Sequence, residues 1–423
     1  MRVLRMGTAG SDVMEVQALL EKLGYDPGPV DGRFGLRMKT AVVAFQRDAG
    51  LMPDGVIGAN TWRAMEPFLL GYDMYTIRPG DTLYAIAQKF GTRLMLITTA
   101  NPGVNPQKLT AGQRIVVPFD FEVVDTNIGY TYAVLKRDVQ GLKARYPFIE
   151  TGTIGTSVLG KKLPYLRLGT GQKTVLYNAA HHSLEWITSP VLMKFAEDYA
   201  KAYALGQRLD SFEPADMWNS VSIYIIPMVN PDSVDLVIDG LQRSNPYYDR
   251  LIRWNNGSSD FSRDWQANIR GVDLNHNYNA AWEASKQAEA AMGITGPGPT
   301  RFSGPYAESE PETRAMVDFT RRINPRLVMA YHSQGEVIFW DFENLAPPEA
   351  ETIGQQLSAL SGYELAAPEG IASYAGYKDW FIQDYRRPGY TIEVGRGKNP
   401  LPISQFDGIY ADNLPMLLYA ATV

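Results

Sequence analysis

The sequence predicts an α/β fold: a mostly parallel mixed sheet with helices on both faces, preceded by a small helical domain and a βααβ domain. Three observations predict it. Apolar runs at 174–177, 221–226 and 327–331 are continuous rather than alternating, as expected of strands buried on both faces. Helical stretches such as 190–205 and 310–323 fall between them, where a parallel sheet needs its crossovers. Ahead of these runs, two short segments carry turn and helix signals of their own.

A chain of 423 residues is longer than one ordinary domain and points to two or three. Hydrophobic content of 45% with 20% charged residues describes a globular chain with ample core. A net charge of −6 argues against a nucleic-acid footprint. No apolar run approaches the ~20 residues that span a bilayer, so no integral membrane segment is expected. The absence of cysteine excludes disulfides and thiolate metal sites. The amino terminus, Met1 to Gly7, has basic residues but no sustained apolar stretch, and does not read as a secretory signal.

Residues 1–70 form the first segment. Val13, Val16, Leu19, Leu20 and Leu23 have helical spacing after Ser11, and Gly24 ends that run. The motif Val30-Asp31-Gly32-Arg33-Phe34-Gly35 then recurs as Pro53-Asp54-Gly55-Val56-Ile57-Gly58. Each Asp-Gly reads as a turn, and each second glycine opens a helix, over 39–49 and 60–68. Physically this is a three-helix bundle.

Residues 73–118 form the second. Tyr75-Thr76-Ile77 is a short strand, and Arg78-Pro79-Gly80-Asp81-Thr82 turns into a helix that Asp81 or Thr82 caps. Leu83, Ile86, Ala87 and Phe90 give it an apolar face. A second helix over 94–100 stops at Asn101-Pro102, and 113–118 return as a strand. Residues 119–423 make up the α/β domain.

The chemistry sits in that third segment. His182 and Glu185 are three apart, which places them on one face of a helical turn. His332 follows an apolar strand, and ligands in open α/β sheets collect beyond the carboxyl ends of strands. Two imidazoles and a carboxylate suit Zn2+ and leave one position open for water. The chain has only four histidines, so their use here is economical. Neighbouring His181 is an alternative ligand by position. Glu393 interrupts the otherwise apolar strand Thr391-Ile392-Glu393-Val394, and a buried carboxylate is costly without a nearby cation.

These motifs support three resemblances. The first segment resembles the peptidoglycan-binding domain of wall hydrolases, on its doubled Asp-Gly motif and on Thr40-Ala41-Val42-Val43-Ala44-Phe45-Gln46. The second resembles a LysM module, which binds N-acetylglucosamine-containing glycans, on Tyr75 to Leu83, Asn101-Pro102, Leu109, Gly112-Gln113 and Ile115. The third resembles the M14 zinc carboxypeptidases, on His182-x-x-Glu185, Pro227 to Asp232, Gly271-Val272-Asp273-Leu274-Asn275, Ser309 to Thr313, His332-Ser333 and Glu393 in chain order. That resemblance implies zinc on His182, Glu185 and His332, Glu393 as general base, and Asp273 orienting His182.

The third segment also departs from the family. Where digestive members carry Asn-Arg to clamp a terminal carboxylate, this chain has Asn275-His276. The family's oxyanion arginine falls at Gln266, with Arg263 or Arg270 nearby, and another of its arginines falls at Leu184. Losing a bidentate guanidinium argues against ordinary C-terminal trimming. The variant resembles the γ-D-glutamyl-meso-diaminopimelate endopeptidases, which cut stem peptides of bacterial peptidoglycan. Asn275, His276, Lys378 and Arg396 are the candidate substrate-binding residues, the last two for diaminopimelate carboxylates. Tyr374, with Tyr377 second, is the candidate for the family's mobile tyrosine.

The expected partners are therefore peptidoglycan glycan strands and stem peptides, and the expected setting is the cell wall or spore, with synthesis in a sporulating or lysing cell. A zinc carboxypeptidase on ordinary peptides and an inactive wall-binding protein are the alternatives.

Overall fold

The computed structural model describes residues 2–367 and 374–423. They form two compact units, Met1–Gly129 with Ala133–Ile149, and Tyr130–Tyr132 with Glu150–Val423. Among the described residues, no helix is long and apolar enough to cross a membrane.

In the first unit, α1 (Ser11–Lys22), α2 (Leu36–Asp48) and α3 (Ala59–Leu70) enclose a core that includes Val16, Leu20, Met38, Val42, Phe45 and Trp62. The doubled motif has a structural cause that the sequence reading missed. Gln17 on α1 accepts the Gly32 N–H at 2.8 Å and donates to Asp31 Oδ1 and the Arg33 carbonyl, both at 3.1 Å. Gln46 on α2 accepts the Gly55 N–H at 2.9 Å and donates to Asp54 Oδ1 at 2.9 Å and the Val56 carbonyl at 3.0 Å. Each buried glutamine thus satisfies a turn whose glycine stands at positive φ, 73° and 71°.

Gln46→Ala leaves the buried Gly55 N–H unpaired and should cost about 1–3 kcal/mol. Thermal or urea unfolding of the first unit reads the loss. Exposed Gln107→Ala should leave the same transition unchanged.

The βααβ segment follows as β1 (Tyr72–Thr76), α4 (Leu83–Phe90), α5 (Leu94–Ala100) and β2 (Arg114–Pro118), with β1 and β2 antiparallel. Thr82 is the cap of α4, accepting the Ala85 N–H at 3.1 Å. Asp81 instead accepts the Arg78 N–H and the Tyr75 hydroxyl. Asn101 ends α5 and ties it to β2, donating to the Ile97 and Val116 carbonyls and accepting the Val116 N–H.

The second unit is built on an eight-stranded sheet. Its strands are β3 (Glu150–Thr156), β4 (Lys162–Leu168), β5 (Lys173–Ala179), β6 (Val221–Ile226), β7 (Leu327–His332), β8 (Val337–Phe339), β9 (Glu364–Ala366) and β10 (Gly389–Glu393), in the order β3-β4-β6-β5-β7-β10-β8-β9. The central strands β6, β5, β7 and β10 are parallel. The joins β3–β4, β4–β6 and β10–β8 are antiparallel. The fold is therefore the mixed, mostly parallel α/β sheet that the sequence predicts.

Side-chain alternation along the central strands sends apolar groups to both faces. Leu176, Val328 and Ala330 share a core with Met316 and Phe319 of helix Pro311–Ile323 and with Trp380 and Phe381 of helix Tyr377–Tyr385. Tyr177 points the other way. Its ring meets Phe195 of helix Thr188–Leu205, and its hydroxyl donates to the Leu417 carbonyl of helix Phe406–Thr422 at 2.7 Å.

Candidate metal centre

β5, β7 and β10 are adjacent and parallel, so their carboxyl ends share one edge. His332 is the last residue of β7, and Glu393, the last of β10, stands directly across from it. β5 ends at Ala179, after which Ala180 adopts a φ of 53° and the chain turns into the short 3-10 helix Ser183–Glu185, with His182 at its cap. The sheet register and that tight turn bring the groups together.

One donor atom from each of His182, Glu185 and His332 lies within 4.8 Å of the others. Glu185 Oε1 is 2.9 Å from His182 Nδ1, and Oε2 is 2.8 Å from His332 Nδ1. The far nitrogen of His182, Nε2, is 3.0 Å from Asp273 Oδ1. If His182 gives its proton to Asp273 at Nε2, the Nδ1 lone pair is left facing Glu185 and His332. Two nitrogens and a carboxylate oxygen within 4.8 Å of one another form the donor set zinc takes, so the residues fit the ion.

The charges follow the same logic. Burial alone would raise Glu185, but the two imidazoles bring it down to about 2. Burial alone would lower His182, yet Glu185 and Asp273 on either side raise it well above the usual imidazole range. Asp273 is buried too, but His182, His276 and the Arg301 N–H hold it far below the usual carboxylate range. Glu393 goes the other way. Burial pushes it well above that range, and the Glu185 charge adds to the effect against a smaller opposing pull from His182. A cation beside it would offset both.

His182 and Glu185 open into a cavity of about 340 Å3, with His332 buried behind them. His182, Glu185, Asp273, Asn275, His276, Lys378 and Glu393 line it. Asn275 Oδ1 accepts the Tyr377 N–H at 3.0 Å, and His276 Nδ1 donates to the Tyr374 carbonyl at 3.1 Å. Tyr374 is half-buried and does not itself line the cavity.

Several expectations need correction. His181 is not part of the trio: it is buried, with Nε2 2.8 Å from the Tyr278 hydroxyl. Tyr377 is a core residue, 0% exposed, with its hydroxyl 2.9 Å from Thr320 Oγ1. Arg270 is turned toward Glu310 and Tyr247, and neither it nor Arg263 lines the cavity. Arg396 lies outside the cavity, 79% exposed at its side chain and paired with Glu336 at 2.5 Å. Lys378 reaches the wall, but it is 4% exposed and its ammonium donates to Asp379 Oδ1 at 2.5 Å and the Asp341 carbonyl at 2.6 Å. A lysine so engaged is not free to hold a substrate carboxylate.

Lys378→Ala should therefore act on stability. It strands the buried Asp379 carboxylate and should cost about 3–5 kcal/mol. Calorimetry distinguishes this from an anchoring role, which would raise KM and leave the melting temperature in place.

Other wall residues had not been assigned from sequence. Thr300 Oγ1 lies 2.8 Å from Gln266 Oε1 and 3.2 Å from Asp273 Oδ2, and the Arg301 N–H donates to Asp273 Oδ2 at 2.8 Å. Asn399 joins Ser333 at 2.8 Å. They come from loops far apart in the chain, and no local pattern marks them. The family motifs around Asp232, Glu310 and Glu312 lie outside the cavity and serve the scaffold. Asp232 accepts the Leu159 N–H, Glu310 the Asn268 amide and Glu312 the Val158 N–H.

Comparisons with known proteins agree with this geometry. A family model described as zinc carboxypeptidase matches residues 135–416. Models described as a putative peptidoglycan binding domain and as a LysM domain match residues 9–65 and 75–118. Over 394 residues the chain is 43% identical to gamma-D-glutamyl-L-diamino acid endopeptidase 1 of Lysinibacillus sphaericus, covering 81% of this chain and 98% of that one. It is 24% identical over 296 residues to human carboxypeptidase B, covering 65% of each. Carboxypeptidase A of Helicoverpa armigera shares the fold, with a TM-score of 0.52 at 18% identity over 99% of this chain and 97% of that one.

Proposed function

Because the chain belongs to the zinc carboxypeptidase family, M14, we propose that it hydrolyses the amide bond between the γ-carboxyl of D-glutamate and meso-diaminopimelate in peptidoglycan stem peptides. One observation carries the reading. The His182–Glu185–His332 trio and Glu393 meet at the floor of a cavity where His276 stands in place of the family's carboxylate-clamping arginine, in a chain 43% identical to an endopeptidase of γ-D-glutamyl-L-diamino acids.

His182, Glu185 and His332 would hold the zinc. When bound, the ion supplies a Lewis acid that polarises the scissile carbonyl and activates water. Asp273 fixes the His182 ring through Nε2. Glu393 takes the proton of the attacking water and delivers it to the leaving amine. Gln266 uses Oε1 on Thr300, which leaves its Nε2 donors for the developing oxyanion. Asn275 and His276 line the wall where the family clamps the leaving residue, and Tyr374, joined to His276 through its carbonyl, is the tyrosine proposed to close over bound peptide.

The working domain division is 1–70 and 73–118 for wall attachment and 119–423 for catalysis. Two attachment modules on one chain raise the effective concentration of the catalytic domain at an insoluble polymer. Within the wall, a spore-associated setting is the finer reading, and fractionating cells before and after sporulation tests it.

The direct test of the activity is a pair of synthetic peptides ending in meso-diaminopimelate, one joined through the γ-carboxyl of D-glutamate and one through an ordinary α-amide. Release of diaminopimelate from the γ-linked peptide alone is the expected result. Trimming of ordinary peptides from their carboxyl ends, with the γ-linked peptide left intact, would replace this reading with that of a plain carboxypeptidase.

A further inference from the structure

A γ-glutamyl bond differs from an ordinary peptide bond in one charged feature. It uses the side-chain carboxyl, so the glutamyl α-carboxylate stays free on the acyl side of the scissile amide. A site that selects γ-linked peptides has this anion to recognise, and a guanidinium matches it best.

The lysine and arginine residues lining the cavity, among the described residues, are Lys378 and Arg301. Lys378 is neutralised by Asp379. Arg301 is different: it is exposed, and among the described residues its guanidinium has one hydrogen-bond partner, Met292 Sδ at 3.9 Å. No carboxylate of the described residues lies within ion-pair distance of it. Its backbone, by contrast, is fixed. Arg301 holds a φ of 65°, which L residues adopt at a cost, and its N–H donates to the same Asp273 carboxylate that orients His182. The loop is thus tied to the metal centre through its main chain, while the side chain is left open at the wall.

We propose that Arg301 binds the free α-carboxylate of the γ-linked glutamyl residue and so sets the preference for γ-linked over α-linked substrates. This inference rests on the γ-glutamyl reading above and adds the residue that enforces it.

Three γ-linked peptides test it: one with the glutamyl α-carboxylate, one with a carboxamide in its place, and one with the diaminopimelate carboxylates amidated instead. The wild-type protein should favour the first over the second by about tenfold or more in kcat/KM. Arg301→Gln should erase that preference, mainly by raising KM for the first peptide, and should cleave the second as the wild type does. That second rate also shows that the variant is folded. Arg301→Lys should keep part of the preference.

Two outcomes would overturn the proposal: a preference that survives in Arg301→Gln, or a variant that loses discrimination only against the peptide amidated at diaminopimelate. A wild-type protein that cleaves no γ-linked peptide would overturn the proposed function itself, a separate result from either.

Discussion

Glu393→Gln is expected to lower kcat on the γ-linked peptide by about two to four orders of magnitude. Metal binding and the melting temperature should stay at or slightly above wild-type values. The substitution keeps the shape and removes only the proton acceptor. Glu393 ends β10, its main chain paired with His332 and Val337, and among the described residues its carboxyl group makes no hydrogen bond or ion pair. Burial and the Glu185 charge both disfavour its ionised form. Such a group costs stability at rest, so a neutral amide there should fold at least as well. Steady-state kinetics with calorimetry read both halves of the prediction. A variant with wild-type kcat would remove Glu393 from proton transfer and leave the activity without a base.

Removing the metal should have the larger effect. Treatment with a strong chelator should abolish hydrolysis, and adding zinc back should restore it. The melting temperature should fall with the metal and return with it, because a ligand held only by the native state stabilises it by mass action, by ~4 kcal/mol at a thousandfold excess over Kd. The structure gives the reason. Glu185 has an imidazole against each oxygen, and in the absence of a cation that arrangement needs protons on both Nδ1 atoms. His332→Ala should reproduce the chelated state and resist rescue by zinc. Full activity in a chelated sample would mean that some other chemistry drives the hydrolysis.

Much of the fold was legible because burial on both faces writes itself as uninterrupted apolar sequence. Runs such as Val221–Ile226 and Leu327–His332 needed no partner to be recognised. The edge strand β3, Glu-Thr-Gly-Thr-Ile-Gly-Thr, has no such run and is a strand because β4 pairs with it. The trio and Glu393 were legible for a related reason. A polar residue that ends an apolar strand stands out, and a His-x-x-Glu pair falls within one turn.

The cationic substrate contacts were not legible. Residue type alone made Lys378 and Arg396 look like anchors, but what a charge does depends on its neighbours. Asp379 adjoins Lys378 in sequence, yet their shared burial is tertiary. Glu336 lies 60 residues from the Arg396 that it neutralises. Arg301 and Asn399 reach the cavity on loops whose placement no local periodicity records, and Gln17 and Gln46 become structural only when a distant Asp-Gly turn closes on them.

The centre at the ends of β5, β7 and β10 is most directly tested by elemental analysis of the purified 423-residue chain, dialysed against zinc and then against metal-free buffer. One zinc per chain is expected in the wild type, with almost none in His182→Ala or His332→Ala. A wild-type protein that retains no divalent metal, or variants that retain as much as the wild type, would contradict the assignment of His182, Glu185 and His332 as a zinc site.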